Sequence, residues 1–143
     1  MQDIGTFDLK RTTTLLGVLP IKSFAKGDSI KIEQEGDDFT SENGADGYTD
    51  RIKNNSTSLM ITIQLAQTSP VNDLLSALLI ADKLTLKGIA PFAFKDLNGT
   101  TTISAKSAWL NKHPTVTNGE EGKVREWVIK TGSVYAMFVG GNE

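Results

Sequence analysis

The stretch from Ala45 to Leu79, ADGYTDRIKNNSTSLMITIQLAQTSPVNDLLSALL, decides the fold of this chain. Within it, apolar and polar residues alternate over Thr57–Gln67, and this period of two predicts a β-strand that is buried on one face. The apolar face consists of Leu59, Ile61, Ile63 and Leu65. We expect this face to cover a core while the opposite, uncharged face meets water.

An amphipathic helix is predicted directly after this strand, over Ser69–Asp82. Ser69 is a favourable N-cap, and Pro70 suits the first helical position, where no N–H is needed. The leucines that follow recur at helical spacing. Those predicted to pack on the strand are Leu74, Leu75, Leu78 and Leu79. A helix of roughly three to four turns is marginal alone in water, so its packing on the sheet is expected to hold it.

The rest of the chain reads mostly as further strands. These segments are Thr13–Leu19, Asp28–Gln34, Ile89–Lys95, Thr100–Trp109, Arg125–Thr131 and Tyr135–Val139. About seven strands and one helix predict a mainly β (α+β) fold, with two packed antiparallel sheets forming a sandwich or barrel and the helix on one side. The composition shows no break, so residues 1–143 are expected to form a single domain.

A long polar segment, Gly36–Ser56, separates two of these strands and contains three glycines. It is too long for a simple connection, and it reads as a loop or an extended hairpin arm. The densest cluster of acidic residues lies in and just before it, in no register that fits a calcium-binding EF-hand. A solvated or interfacial arm is therefore the favoured interpretation.

Composition disfavours several classes of function. The net charge is −2 and the lysines and arginines are scattered along the sequence. A protein that binds nucleic acid usually has a basic face, so this function is disfavoured. There are no cysteines, and neither a signal peptide nor a membrane-spanning segment is expected. The single histidine, His113, has no catalytic motif around it, so no catalytic, metal or cofactor site is predicted. Trp127 is interpreted as a core residue, with an interface anchor as the alternative.

Three short motifs in this order resemble the tail tube proteins of contractile-tailed (myovirus-type) bacteriophages. They are Ala45-Asp46-Gly47, the segment from Ser69 to Ala77, and Gly122-Lys123-Val124-Arg125-Glu126-Trp127. The resemblance implies hexameric rings whose strands join into an inner β-barrel. It also implies that the rings stack by self-assembly into a hollow tube, which conducts the genome into the host at ejection.

The same resemblance assigns expected roles to residues. The residues expected to face the lumen are Glu33, Glu35, Thr62 and Gln64. The residues expected to reach an adjacent ring are Asp37, Asp38, Glu42, Asp46, Tyr48, Asp50 and Arg51. The implied partners are further copies of the chain and the tail sheath, tape measure, baseplate and tail-terminator proteins. DNA is expected only in passage, and the implied location is the virion tail, assembled in the host cytoplasm.

Two alternative readings remain open at this stage. The first is the inner tube of a phage-derived bacteriocin or of a type VI secretion-like apparatus, which the sequence separates poorly from a phage tube. The second is a monomeric β-sandwich that binds carbohydrate or protein. That reading predicts clustered exposed aromatic residues, whereas aromatic residues make up 7% of this chain.

Overall fold

The computed structural model describes residues 12–21, 30–97, 99–117 and 123–141, and these contain ten strands and one helix. The strands are β1 (Thr12–Leu16), β2 (Leu19–Pro20), β3 (Ile30–Glu35), β4 (Phe39–Asn43), β5 (Thr49–Lys53), β6 (Ser58–Ala66), β7 (Ala90–Asp96), β8 (Thr102–Lys112), β9 (Val124–Thr131) and β10 (Tyr135–Phe138). The helix, α1, spans Val71–Thr85. Residues 28 and 29 of the predicted third strand lie outside the described part.

The strands form two antiparallel sheets, so the prediction of a mainly β fold with one helix is confirmed. Eight strands make the large sheet, in the order β2-β1-β7-β8-β9-β6-β3, with β10 also paired to β8. The small sheet is the hairpin β4-β5. Within the described residues β2 and β3 stand at opposite ends of the order, and no closed barrel is found.

The predicted strand Thr13–Leu19 is instead a tight hairpin of β1 and β2. Gly17 breaks it, because its φ of +65° lies in the left-handed region that glycine adopts without a Cβ clash. The backbone N–H of Gly17 also donates to the carbonyl of Pro91 at 2.7 Å. The turn is therefore tied to β7, the strand beside β1 in the large sheet.

β6 carries the alternation that its sequence predicts. Its apolar residues are fully buried, and those between them are half-buried. The buried residues are Leu59, Ile61, Ile63 and Leu65. They belong to the core face of the large sheet, on which α1 packs through Val71, Leu75 and Leu79.

Leu74 was predicted to pack in this core, and that prediction is wrong, because 52% of the residue is exposed. Successive helical residues are about 100° apart, so the stripe from Val71 through Leu75 to Leu79 leaves Leu74 on the flank. Leu78 lies closer to the stripe and is half-buried against the core.

The helix begins one residue later than predicted, with Pro70 rather than Ser69 at the cap position and Val71 as the first helical residue, and it ends at Thr85 rather than Asp82. The Ser69 hydroxyl still accepts a hydrogen bond from the backbone N–H of Val71 at 3.3 Å. Asn72 then ties the helix to the sheet, because its Oδ1 accepts a 3.0 Å hydrogen bond from Nε1 of Trp127. Trp127 is 1% exposed, so it is a core residue.

Candidate functional site

The face of the large sheet that turns away from α1 is half-exposed and polar. Antiparallel residues that lie directly opposite each other share a face. Thr62 lies opposite Lys31 on β3 and Val128 on β9, and Gln64 lies opposite Glu126 on β9. Nε2 of Gln64 donates to Oε2 of Glu126 at 3.4 Å. Thr62 and Gln64, two of the predicted lumen residues, therefore lie on one continuous polar surface.

Glu33 and Glu35, the other two predicted lumen residues, lie on β3, and each has a lysine within reach. Nζ of Lys31 is 3.9 Å from Oε2 of Glu33, and Nζ of Lys130 is 3.8 Å from Oε2 of Glu35. Sequence reasoning could not find the second pair, because Lys130 is brought to β3 across β6 by long-range pairing, and it overlooked the local pair of Lys31 and Glu33. The polar face is therefore closer to neutral than its glutamates alone indicate.

An open strand edge borders this polar face. Among the described residues β3 pairs with β6 and with no second strand, so its other edge has unpaired backbone groups. Such an edge is a template for pairing with another chain, and proteins normally cover or block it. The edge is a candidate surface for assembly.

The predicted arm at 36–56 is a β-hairpin made of β4 and β5, and every strand residue in it is exposed. The turn between the strands is fixed locally. The N–H of Gly44 donates to the carbonyl of Tyr48 at 2.7 Å, and the N–H of Tyr48 donates to Oδ1 of Asp46 at 3.2 Å. Gly47 takes a φ of +84°, which favours glycine. The arm is thus a defined hairpin rather than an irregular loop.

The base of the arm is fixed as well. Nε2 of Gln34 donates to the carbonyl of Gly36 at 3.1 Å and to Oδ1 of Asp38 at 3.0 Å. The backbone N–H of Asn54 donates to the carbonyl of Asp38 at 2.8 Å. Asp37, beside this base, is exposed. These hydrogen bonds fix the direction in which the hairpin leaves the end of β3.

The two faces of the arm differ in charge. On one face the guanidinium of Arg51 lies 4.4 Å from the ring centroid of Phe39, a cation–π contact, and Lys53 pairs with Phe39 across the strands. On the other face Glu42 lies directly opposite Asp50. Of the predicted arm residues, Arg51 therefore lies on a basic, aromatic face, Glu42 and Asp50 lie on an acidic face, and the others lie at the base or the turn of the hairpin.

His113 lies at the end of β8, exposed, with its ring centroid 6.0 Å from that of Trp127. It lines an open groove of about 300 Å³, together with Lys112 and Glu126. Within the described residues no group of three or more His, Cys, Asp or Glu side chains could hold a metal ion. The described part also contains no helix that is long and apolar enough to cross a membrane.

Comparison with known proteins first defines the class, which is that of phage structural proteins. The chain is 27% identical over 125 residues to "Structural protein ORF10" of Pseudomonas phage KPP10, and the match covers 86% of this chain and 72% of that protein. The family described as "Bacteriophage PhiTE tail tube protein" matches residues 21–139. Because this match spans most of the chain, the protein belongs to this phage tail tube family and is a structural component of the virion tail.

The fold itself also matches a solved structure. The cryo-EM structure of the anti-feeding prophage cap (AFP tube terminating cap) superposes with a TM-score of 0.65 over 96% of this chain and 94% of that chain. The two sequences are 10% identical, so this likeness shows the shared fold alone.

Proposed function

We propose that this protein forms hexameric rings that stack into the hollow inner tube of a contractile phage tail. In this proposal the tube surrounds the tape measure protein and lies inside the sheath. It grows from the baseplate and is closed by a terminator protein. At ejection it conducts the genome, and assembly takes place in the host cytoplasm. Membership of the tail tube family supports the tube, and the edge of β3, which pairs with no strand among the described residues, supports joining of sheets between protomers.

The polar sheet face is proposed to line the bore. Thr62 and Gln64 carry no charge, and Glu33 and Glu35 each have a lysine close by. A surface that is near neutral gives phosphates little to bind, so DNA slides without being held. Electrostatic effects survive over roughly 8 Å at physiological ionic strength, which is relevant in a narrow bore.

The arm is proposed to contact an adjacent ring. Its support is that both of its faces are exposed in the protomer and that its base and turn are held by hydrogen bonds. A hairpin that is exposed on both faces adds little to the folding stability of the protomer. It gives a stacking ring a preformed contact, and little ordering entropy is lost on binding.

Electron microscopy of the purified protein, together with its mass in solution, tests the ring and the arm separately. Hollow tubes or rings with six-fold end views are expected for the full chain at high concentration or on isolated baseplates. Replacing residues 37–55 by a short Gly-Ser linker should leave folded protomers or rings that do not stack. Long tubes from this variant would refute the role of the arm, and end views with another symmetry would refute the hexamer.

The assignment of the bore has its own test, because tubes that conduct DNA should not bind it. We expect Glu33→Lys to make assembled tubes retain DNA in a low-salt co-sedimentation assay, because it adds a cation beside Lys31. Asp73→Lys, on the exposed side of α1, makes the same change in net charge and should leave retention unchanged. Equal retention by both variants would show that Glu33 does not face the bore.

The inner tube of a phage-derived bacteriocin or secretion-like apparatus is the second candidate. The fold match to the anti-feeding prophage cap keeps this candidate open, since that cap is described as terminating a tube. The identity of the neighbouring genes separates the two. Capsid genes next to this gene would support the phage tail. Sheath genes next to it, without capsid genes, would support the other apparatus.

A further inference from the structure

Helix α1 is apolar on two sides, although the protomer buries only one. Its inner side packs on the sheet through Leu75 and Leu79. On its outer side Ile80 and Leu84 are 51% and 81% exposed. A surface helix normally has one apolar stripe that faces the core, so large exposed apolar residues outside that stripe need another explanation. The outer side of α1 therefore has the composition of a contact surface.

The residues that follow the helix extend this outer surface in a fixed shape. Leu86 has a φ of 60°, in the left-handed region where helices usually place glycine. Its N–H donates to the carbonyl of Asp82 at 2.8 Å, and the N–H of Gly88 donates to Oδ1 of Asp82 at 2.9 Å. The side chain of Leu86 is thereby presented outward, 81% exposed, in a conformation that is unfavourable for leucine.

We name the surface formed by Lys83, Leu84, Leu86 and Lys87 the helix-end patch. All four residues are exposed, and along the chain the two leucines stand between the two lysines. An exposed apolar surface rimmed by charge is typical of a protein–protein contact. A fitting partner has an apolar side chain flanked by carboxylates.

The acidic face of the arm has this composition. Glu42 and Asp50 lie directly opposite each other, and Ile52, on the same face, is 42% exposed. Among the described residues no lysine or arginine lies within ion-pair distance of either carboxylate. Like charges directly opposite each other destabilise a strand pair, so the hairpin retains an unfavourable pair that a cationic partner would relieve.

We propose that the acidic face of the arm docks on the helix-end patch of a second copy of this chain. Ile52 then packs on Leu84 and Leu86, while the carboxylates of the arm meet Lys83 and Lys87. The contact joins two different surfaces, so it is heterologous and propagates from copy to copy. The proposal rests on the arm being a contact between protomers, as proposed above, and it adds the receptor site.

A charge exchange tests the proposal. Lys83→Glu combined with Lys87→Glu should raise the protein concentration needed for tube formation at least about tenfold, since like charges then face each other. Adding Glu42→Lys and Asp50→Lys to the same chain restores attraction at every contact and should bring assembly back to within a few-fold of the original. The matched control reverses Lys95 and Lys106, two exposed lysines outside both surfaces, and should assemble normally.

Leu86→Gly separates docking from folding. Glycine accepts the left-handed conformation without a Cβ clash, so the protomer should unfold at the same or a higher urea concentration. Assembly should nevertheless weaken, because the patch loses one of its two apolar side chains. A variant that loses folding stability and assembly together would show that Leu86 serves the protomer and would count against the proposal.

Disulfide trapping gives a direct readout, because the chain has no cysteine of its own. A chain carrying Asp50→Cys and Lys83→Cys should form a ladder of dimers, trimers and longer species on oxidation. The control pair Asp50→Cys and Lys106→Cys should remain monomeric on a non-reducing gel. Absence of the ladder at concentrations where tubes form would overturn the proposal.

The outcomes also separate this proposal from the role of the arm itself. If the arm-deleted chain cannot stack, but the lysine-reversed chain stacks normally, the arm functions and its receptor lies elsewhere. If the four-residue exchange fails to restore stacking, the assigned pairing of charges is wrong. If the arm-deleted chain forms long tubes, the arm has no role between rings, and the proposed docking contact is refuted as well.

Discussion

Two adjacent leucines on α1 allow the packing of the helix to be tested by matched substitutions. Leu75 is 0% exposed and Leu74 is 52% exposed. Leu75→Ala removes side-chain contacts and leaves a cavity, so the free energy of unfolding should fall by about 2–5 kcal/mol. Leu74→Ala gives up less burial and gains helix propensity, so its loss should stay below about 1 kcal/mol. For a chain of this length, the loss at Leu75 should lower the Tm by roughly 7–17 °C.

Urea unfolding followed by tryptophan fluorescence measures both losses, because the buried Trp127 becomes exposed when the core opens. The measurement is made at concentrations where the mass in solution is that of the protomer, since association would add concentration-dependent stability. Equal losses for the two substitutions would refute the assigned orientation of α1. A loss at Leu75 below about 1 kcal/mol would refute the account of the core itself.

Two further substitutions test contacts that fix the ends of α1. Asn72→Ala leaves the indole N–H of Trp127 without its acceptor in the core, and urea unfolding should show a loss of about 1–3 kcal/mol; a loss near zero would mean that water replaces the amide. Gly88→Ala places a Cβ against the side chain of Asp82 and should cost about 1–3 kcal/mol, whereas Gly132→Ala meets open space and should cost far less. Similar unfolding midpoints for Gly88→Ala and Gly132→Ala would show that the segment after α1 can shift.

The parts of the fold that sequence predicts well are those set by local periodicity. The alternation in Thr57–Gln67 predicts a strand, and β6 spans Ser58–Ala66 with its apolar residues buried. The period of two is a property of the strand itself, so no knowledge of its neighbours is needed. Gly36–Ser56 likewise shows its hairpin through turn-forming residues such as Asp46 and Gly47, although its faces follow only from the strand register.

The parts that sequence misses depend on which strands become neighbours. Nothing local places β1 beside β7, and nothing local places Lys130 within reach of Glu35. The error at Leu74 has a related cause. An apolar residue on a helix shows that it can be buried, whereas the angle at which the helix meets the sheet decides whether it is. Leu84 was missed for another reason, because the predicted helix ends at Asp82 whereas α1 runs to Thr85.

The two faces of the large sheet therefore contribute differently to the folding stability of the protomer. The core face holds the protomer through dense apolar packing, where each buried leucine contributes about 1.5–3 kcal/mol. The polar face holds ion pairs such as Lys130–Glu35, whose partners are more than a third exposed. Exposed pairs contribute about 0–1 kcal/mol, so this face can change its charge at little cost to folding. Substitutions on the polar face are therefore expected to cost the protomer little stability, whereas the fold beneath it is set by α1 and the core face.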